Sequence, residues 1–194
     1  MNQGKKQKPA LSRQEALDLI KKYLPQDHLI KHCLATEAIM RALALKLQSD
    51  EALWGLAGLL HDLDYNETKE HMDQHTLHTE KILTDMGVSQ EVIDAIKGHN
   101  ADNLGGKRKT TFEHALTAAE CITGLIVATA LVYPDKKITS VKPQSIIKRM
   151  KQKEFARNVN RDYIRECELI GIPLEEFVAL SLAAMCTISD QLGL

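Results

Sequence analysis

The sequence predicts an all-α, single-domain bundle of several helices, and three observations predict it. Apolar residues recur at three- and four-residue spacing through almost the whole chain. No stretch alternates with the period of a strand. Residues that start and stop helices punctuate the pattern at intervals suited to ordinary helices. The chain has 194 residues, 44% hydrophobic and 26% charged, which suits one sizeable core better than two. A formal charge of -1 gives no overall pull toward nucleic acid or a membrane, so neither is expected as a partner.

Residues 1–10 are polar and basic, predicting a disordered tail without the apolar run of a secretion signal. Ser12 and Glu15 form a capping box, after which Ala16, Leu19, Ile20, Tyr23 and Leu24 define a first helix. A second follows Pro25, carries His32, Ala35, Ile39 and Leu43 on one face, and stops near Gln48-Ser49-Asp50. The third, apolar from Ala52 through Leu60, closes on His61-Asp62. Past the polar Asp64 to Lys69 segment a fourth runs to about Met86 and ends at Gly87, and Ser89 caps a fifth that reaches His99.

Asn100 to Lys109 reads as a loop. Thr110 and Glu113 form a second capping box before a long apolar helix from about Phe112 to Val132, which Tyr133-Pro134-Asp135 terminates. Further helices are expected at Pro143 to Lys151, Asn160 to Ile170 and Pro173 to Gln191. The core helices thus span about 27–132 and a helical extension 136–194, within one domain over 11–194. Glu120 interrupts Ala115 to Val132, and no run reaches the roughly 18 uninterrupted apolar residues of a membrane span. Cys33, Cys121, Cys167 and Cys186 lack any Cys-x-x-Cys spacing and read as free thiols. A soluble, cytoplasmic protein is expected, of unknown oligomeric state.

Titratable groups on apolar faces are the informative residues. A buried carboxylate without a partner costs several kcal/mol or more, so His61-Asp62 at the end of an apolar helix demands a counter-charge. Glu120 stands on the inward stripe that holds Leu116 and Val127; His32 shares the face of Ala35 and Ile39; His99 that of Val92, Ala95 and Ile96; and His75 and His78 that of Ile82 and Met86. A single histidine on such a face is ordinarily a core residue bonded to a carbonyl. Several converging on one carboxylate point to a divalent metal, and imidazoles with carboxylates suit Mn, Fe, Co, Ni or Mg rather than structural zinc.

The order His32, His61-Asp62 and a later acid resembles the HD-domain superfamily of metal-dependent phosphohydrolases, which are helical proteins. Longer strings carry the resemblance: His32-Cys-Leu-Ala-Thr-Glu-Ala-Ile-Met, Trp54-Gly-Leu-Ala-Gly-Leu-Leu-His-Asp-Leu-Asp-Tyr and Thr123-Gly-Leu-Ile-Val-Ala. The likeness is to the small stand-alone members of the family. It implies an HD-like bundle with His32, His61, Asp62 and Glu120 as metal ligands, Glu120 standing where the family has Asp. The added methylene shifts the carboxylate by about 1.5 Å, enough to matter for catalytic geometry. His75 and His99 match the positions that hold a second metal in some members, with Asp62 as the bridge.

The implied reaction is hydrolysis of a phosphate ester, a nucleotide or another small phosphorylated metabolite, by metal-activated water, with Asp62 and Asp64 as catalytic carboxylates and Asp64 handling the proton. Glu67, His71 and His78 read as solvated or supporting residues. Lys142, Lys148 and Arg149 belong to a basic run that could meet the phosphate or form a solvated face. Eight aromatic residues, three Phe, four Tyr and one Trp, argue against a stacked nucleobase pocket. Two rival readings share the scaffold: a binuclear iron oxidative enzyme, and a degenerate regulatory or ligand-binding protein.

Overall fold

The central helix of the fold is α2 (Asp27–Lys46), which lies against α3 (Glu51–Leu60), α7 (Thr111–Leu131) and α10 (Leu174–Cys186). The computed structural model describes residues 11–194; the tail expected over residues 1–10 lies outside them. No strand occurs among the described residues. The other helices are α1 (Arg13–Tyr23), α4 (Tyr65–Thr68), α5 (Leu77–Asp85), α6 (Gln90–His99), α8 (Pro143–Met150), α9 (Arg161–Ile164) and α11 (Ser189–Leu192). Short 3-10 turns cover Ile138–Ser140 and Arg165–Glu168.

Local chemistry accounts for most boundaries. The Ser12 and Glu15 capping box is formed in full at the start of α1. The Asp50 side chain accepts the N–H groups of Ala52 and Leu53 at the start of α3. At α7 the box is displaced by one residue: Thr110 accepts from the N–H of Glu113, but the Glu113 carboxylate turns back to the N–H of Lys109. Ser89 precedes α6 without a side-chain capping bond.

Residues Trp54 to Leu60 of α3 are all buried, because α1, α2, α6 and α7 surround the helix. Trp54 packs internally, stacked on Phe112 with ring centroids 4.8 Å apart. Gly58 permits the closest approach: a Cβ there would lie 2.9 Å from the Thr36 carbonyl oxygen and 3.0 Å from the Glu37 backbone. The extension packs α8 and α9 on α7, and α10 on both α2 and α7, so Phe177 and Met185 join the same hydrophobic cluster as Leu60 and Ile126. α7 is long and apolar enough to cross a membrane, but 67% of its apolar window is buried inside the protein.

The expected fourth helix is corrected. Only α4 and α5 are helical there, and turns over 70–76 separate them. His75 therefore lies in a turn that Thr76, at φ +78°, folds into the left-handed region, and it shares no helix face with His78. His75 is buried and His78 exposed. Asn100 fixes the turn from outside, its side-chain amide donating to the carbonyls of Met72 and His75 at 2.8 and 2.9 Å.

Candidate metal centre

Two helix ends and one helix face bring the first donors together. His61 follows α3 and His99 ends α6, where carbonyls lack intrahelical partners. Each imidazole donates Nδ1–H to the carbonyl three residues back, His61 to Gly58 at 2.9 Å and His99 to Ile96 at 2.5 Å. This fixes the tautomer from those partners and leaves both Nε2 atoms with free lone pairs. On α2, His32 Nδ1 lies 2.9 Å from Thr123 Oγ1, and that hydroxyl already donates to the Glu120 carbonyl at 2.6 Å. Thr123 must therefore accept from His32, whose Nε2 is likewise bare.

These nitrogens face one another or the Nε2 of His75. His32 Nε2 and His61 Nε2 are 3.1 Å apart, and His75 Nε2 and His99 Nε2 are also 3.1 Å apart. Asp62 lies between the pairs: Oδ2 is 3.6 Å from both His32 and His61, and Oδ1 is 3.3 Å from His75 and 3.7 Å from His99. Two sets of converging donors result, His32–His61–Asp62 and Asp62–His75–His99, sharing one carboxylate. Imidazole lone pairs opposed at hydrogen-bond distance repel unless positive charge lies between them, so each set fits a divalent cation with nitrogen and oxygen preference.

A model of the HD domain family matches residues 29–130, more than half of the chain, and this span contains every residue of both donor sets. The chain belongs to the HD domain family. No solved structure matches it.

The electrostatics of this HD domain agree with the geometry. Burial lowers the pKa of His32 and takes that of His61 down to about 3, so both stay neutral at ordinary pH. Burial alone would raise Asp62, but the imidazoles of His61, His75 and His99 hold it well below the usual carboxylate range. His75 goes the other way: burial opposes its charge, yet hydrogen bonds to Asp62 and Asp64 raise it to about 9. Where no metal is bound, a proton on His75 supplies the positive charge that this half of the centre demands.

The remaining expected residues take other places. Asp64 is buried and faces away from solvent: Oδ1 accepts from His75 Nδ1 at 2.8 Å and from the Thr76 N–H at 3.1 Å, and Oδ2 from the Thr79 N–H at 3.1 Å. Through these partners it orients His75. Glu120 stands outside both donor sets. Burial raises its pKa to about 8, and its carboxyl oxygen accepts from the Cys121 thiol at 2.8 Å. Glu67 and His78 are exposed and pair with each other, and His71 is exposed.

Of the basic run, the Lys142 N–H donates to the hydroxyl of Tyr133, just past the end of α7. Lys148 is exposed, and Arg149 lies over the Phe155 ring, 4.3 Å from its centroid. Sequence reasoning missed two groups beside the centre. Tyr65 lies edge-on to His75 at 5.6 Å, and Arg108 donates to the carbonyls of Gly98 and His99 while pairing with Asp102 and Glu166. Tyr65 adjoins the HD string, so its position was a usable signal; Arg108 lies in a loop with no periodicity to mark it.

Proposed function

We propose that this HD domain is a metal-dependent phosphohydrolase that cleaves a small phosphate monoester. The observation that supports this reading most strongly is the pair of donor sets sharing Asp62, each with two imidazole nitrogens facing at 3.1 Å. His32, His61 and Asp62 would hold one divalent ion and Asp62, His75 and His99 a second. Ions so placed supply Lewis acidity, acidifying a water and neutralising charge on phosphoryl oxygens. Imidazole-rich sets favour Mn, Fe, Co or Ni, and fit Mg least well.

The protein's own groups do the rest. Gly58, Ile96 and Thr123 fix the imidazole tautomers, and Asp64 aims His75. In hydrolysis an oxygen–phosphorus bond forms from water, the phosphorus–alcohol oxygen bond breaks, and a proton passes to the departing alcohol. Glu120, which burial raises to about 8 in the metal-free protein, is a nearby carboxyl group that could give up a proton; ionised, as an adjacent divalent ion would favour, it is the further carboxylate that the family resemblance assigns to the metal.

Each two-histidine, one-carboxylate set also suits oxygen-activating iron, so an oxidative binuclear enzyme is the second reading. Metal analysis after chelator-free purification, a phosphate-ester panel and oxygen uptake separate them. Two bound ions, ester hydrolysis and loss of both in His61→Ala are expected. Bound iron with oxygen uptake and no hydrolysis selects the second reading. A protein that takes up no metal, with an unchanged melting temperature in Asp62→Ala, refutes both and leaves a regulatory role.

A further inference from the structure

Among the five donor side chains, His32 is the most open: 24% exposed, against 11% for Asp62, 7% for His99 and 1% for His61 and His75. The widest approach to the centre is therefore on the His32 side. A cavity of about 250 Å³ lies there. One wall is a single face of α2, where His28, Lys31, His32 and Ala35 recur at helical spacing; the facing wall is α7 from Thr123 through Val127 to Leu131; and Leu192 and Leu194 close it.

The chemistry of this groove is uneven. Thr123 is committed to His32 and Glu120, so the polar groups left are the imidazole of His28 and the ammonium of Lys31, both beside His32. Lys31 pairs with Asp27 at 2.9 Å, but Asp27 is 79% exposed, and an exposed pair of this kind exchanges readily for a better anion. Beyond these two residues the walls are aliphatic. No Phe, Tyr or Trp side chain lines the cavity to stack on a base. Leu131 stands eight residues from Thr123, roughly 12 Å along the helix, and the volume lies below the roughly 300–1,000 Å³ of pockets for larger ligands.

We propose that the groove between α2 and α7 is the substrate-body site, and that the substrate is a phosphate monoester of a short aliphatic alcohol, its phosphoryl group lying beside His32 and met by Lys31 and His28. This rests on the phosphohydrolase reading. It replaces the basic run after α7 with Lys31 and His28 on α2, and it disfavours nucleotides.

The test uses the full chain loaded with Mn. Straight-chain alkyl phosphates from methyl to hexyl are compared with a nucleoside monophosphate, and p-nitrophenyl phosphate serves as a generic ester. Binding of the matching alkylphosphonates, which cannot be hydrolysed, is measured by calorimetry. KM and phosphonate Kd should fall roughly fourfold per added methylene until the groove is full. Val127→Trp should abolish the chain-length dependence of alkylphosphonate Kd. Lys31→Gln should raise KM about two- to fivefold with kcat little changed.

If p-nitrophenyl phosphate is hydrolysed but chain length has no effect, or the nucleotide is preferred, the groove assignment is overturned while the phosphohydrolase reading stands. If phosphonates bind with the expected chain-length dependence and no ester is cleaved, the groove stands and the hydrolase reading fails. If nothing binds and nothing is cleaved, both fail.

Discussion

Asp64→Asn distinguishes the two halves of the centre. Asp64 accepts three hydrogen bonds on two oxygens: His75 and Thr76 at Oδ1, Thr79 at Oδ2. Asparagine offers one oxygen. If it faces His75 and Thr76, the amide confronts the Thr79 N–H donor to donor, a loss of about 1–3 kcal/mol and a melting temperature lower by roughly 2–12 °C for a chain of this size. The larger consequence is for the metal. Without an anionic partner His75 becomes a weaker base and its ring is held less firmly, and loss of such a partner typically weakens metal binding 10–100-fold, about 1.4–2.7 kcal/mol. Asp64 makes no contact with His32 or His61, so the other set should change far less.

Calorimetric titration of the metal-free protein with Mn should show two phases in the wild type, with only the weaker-bound or second phase displaced in the variant. Thr123→Val is the converse: it deletes the acceptor of His32 Nδ1 and should weaken the His32–His61 phase by a similar factor. Equal losses in both phases for either variant, or no loss in both, would refute the reasoning that each set has its own supporting residue.

Two further predictions concern stability. Gly58→Ala places a Cβ 2.9 Å from the Thr36 carbonyl oxygen, against backbone that cannot swing aside; helices α2 and α3 must separate, at a cost of about 1–3 kcal/mol, read as a lower denaturation midpoint and weaker metal binding through His61. The metal-free protein should also lose stability on the alkaline side. His75 at about 9 and Glu120 at about 8 lie above their unfolded values, so the stability they contribute is present in acid and lost as pH rises through those values. His61 at about 3 lies below its unfolded value, so its effect is lost as pH falls from about 6.5 toward 3. Thermal melts of chelated protein should therefore fall off between pH 6.5 and 9, and a flat or rising alkaline limb would contradict these assignments.

What the sequence made legible depended on periodicity. His32, His61 and His99 stand on helices or at their ends, where apolar spacing marks the inward face, and all three lie where that spacing put them. His75 reached the centre by another route. Its position comes from a left-handed Thr76 and from the Asn100 amide, and neither leaves a pattern: threonine is no turn signal, and Asn100 acts across 25 residues. Asp64 was identified as important, yet its role follows from which way its oxygens face, which spacing cannot supply.

The two halves of the centre thus differ in construction. His32 and His61 are positioned by three long helices, α2, α3 and α7, locked together at Gly58 and by the Thr123 hydroxyl. His75 hangs on an irregular turn, held by one buried carboxylate and one amide. Donors on packed helices lose little freedom on binding an ion, whereas donors on a turn must be ordered by it. His75 also has to surrender a proton that Asp62 and Asp64 hold up to about 9, so binding on that side competes with protonation and on the other side does not. A tightly held ion at His32–His61 and a weaker, pH-dependent one at His75–His99 follow from that asymmetry.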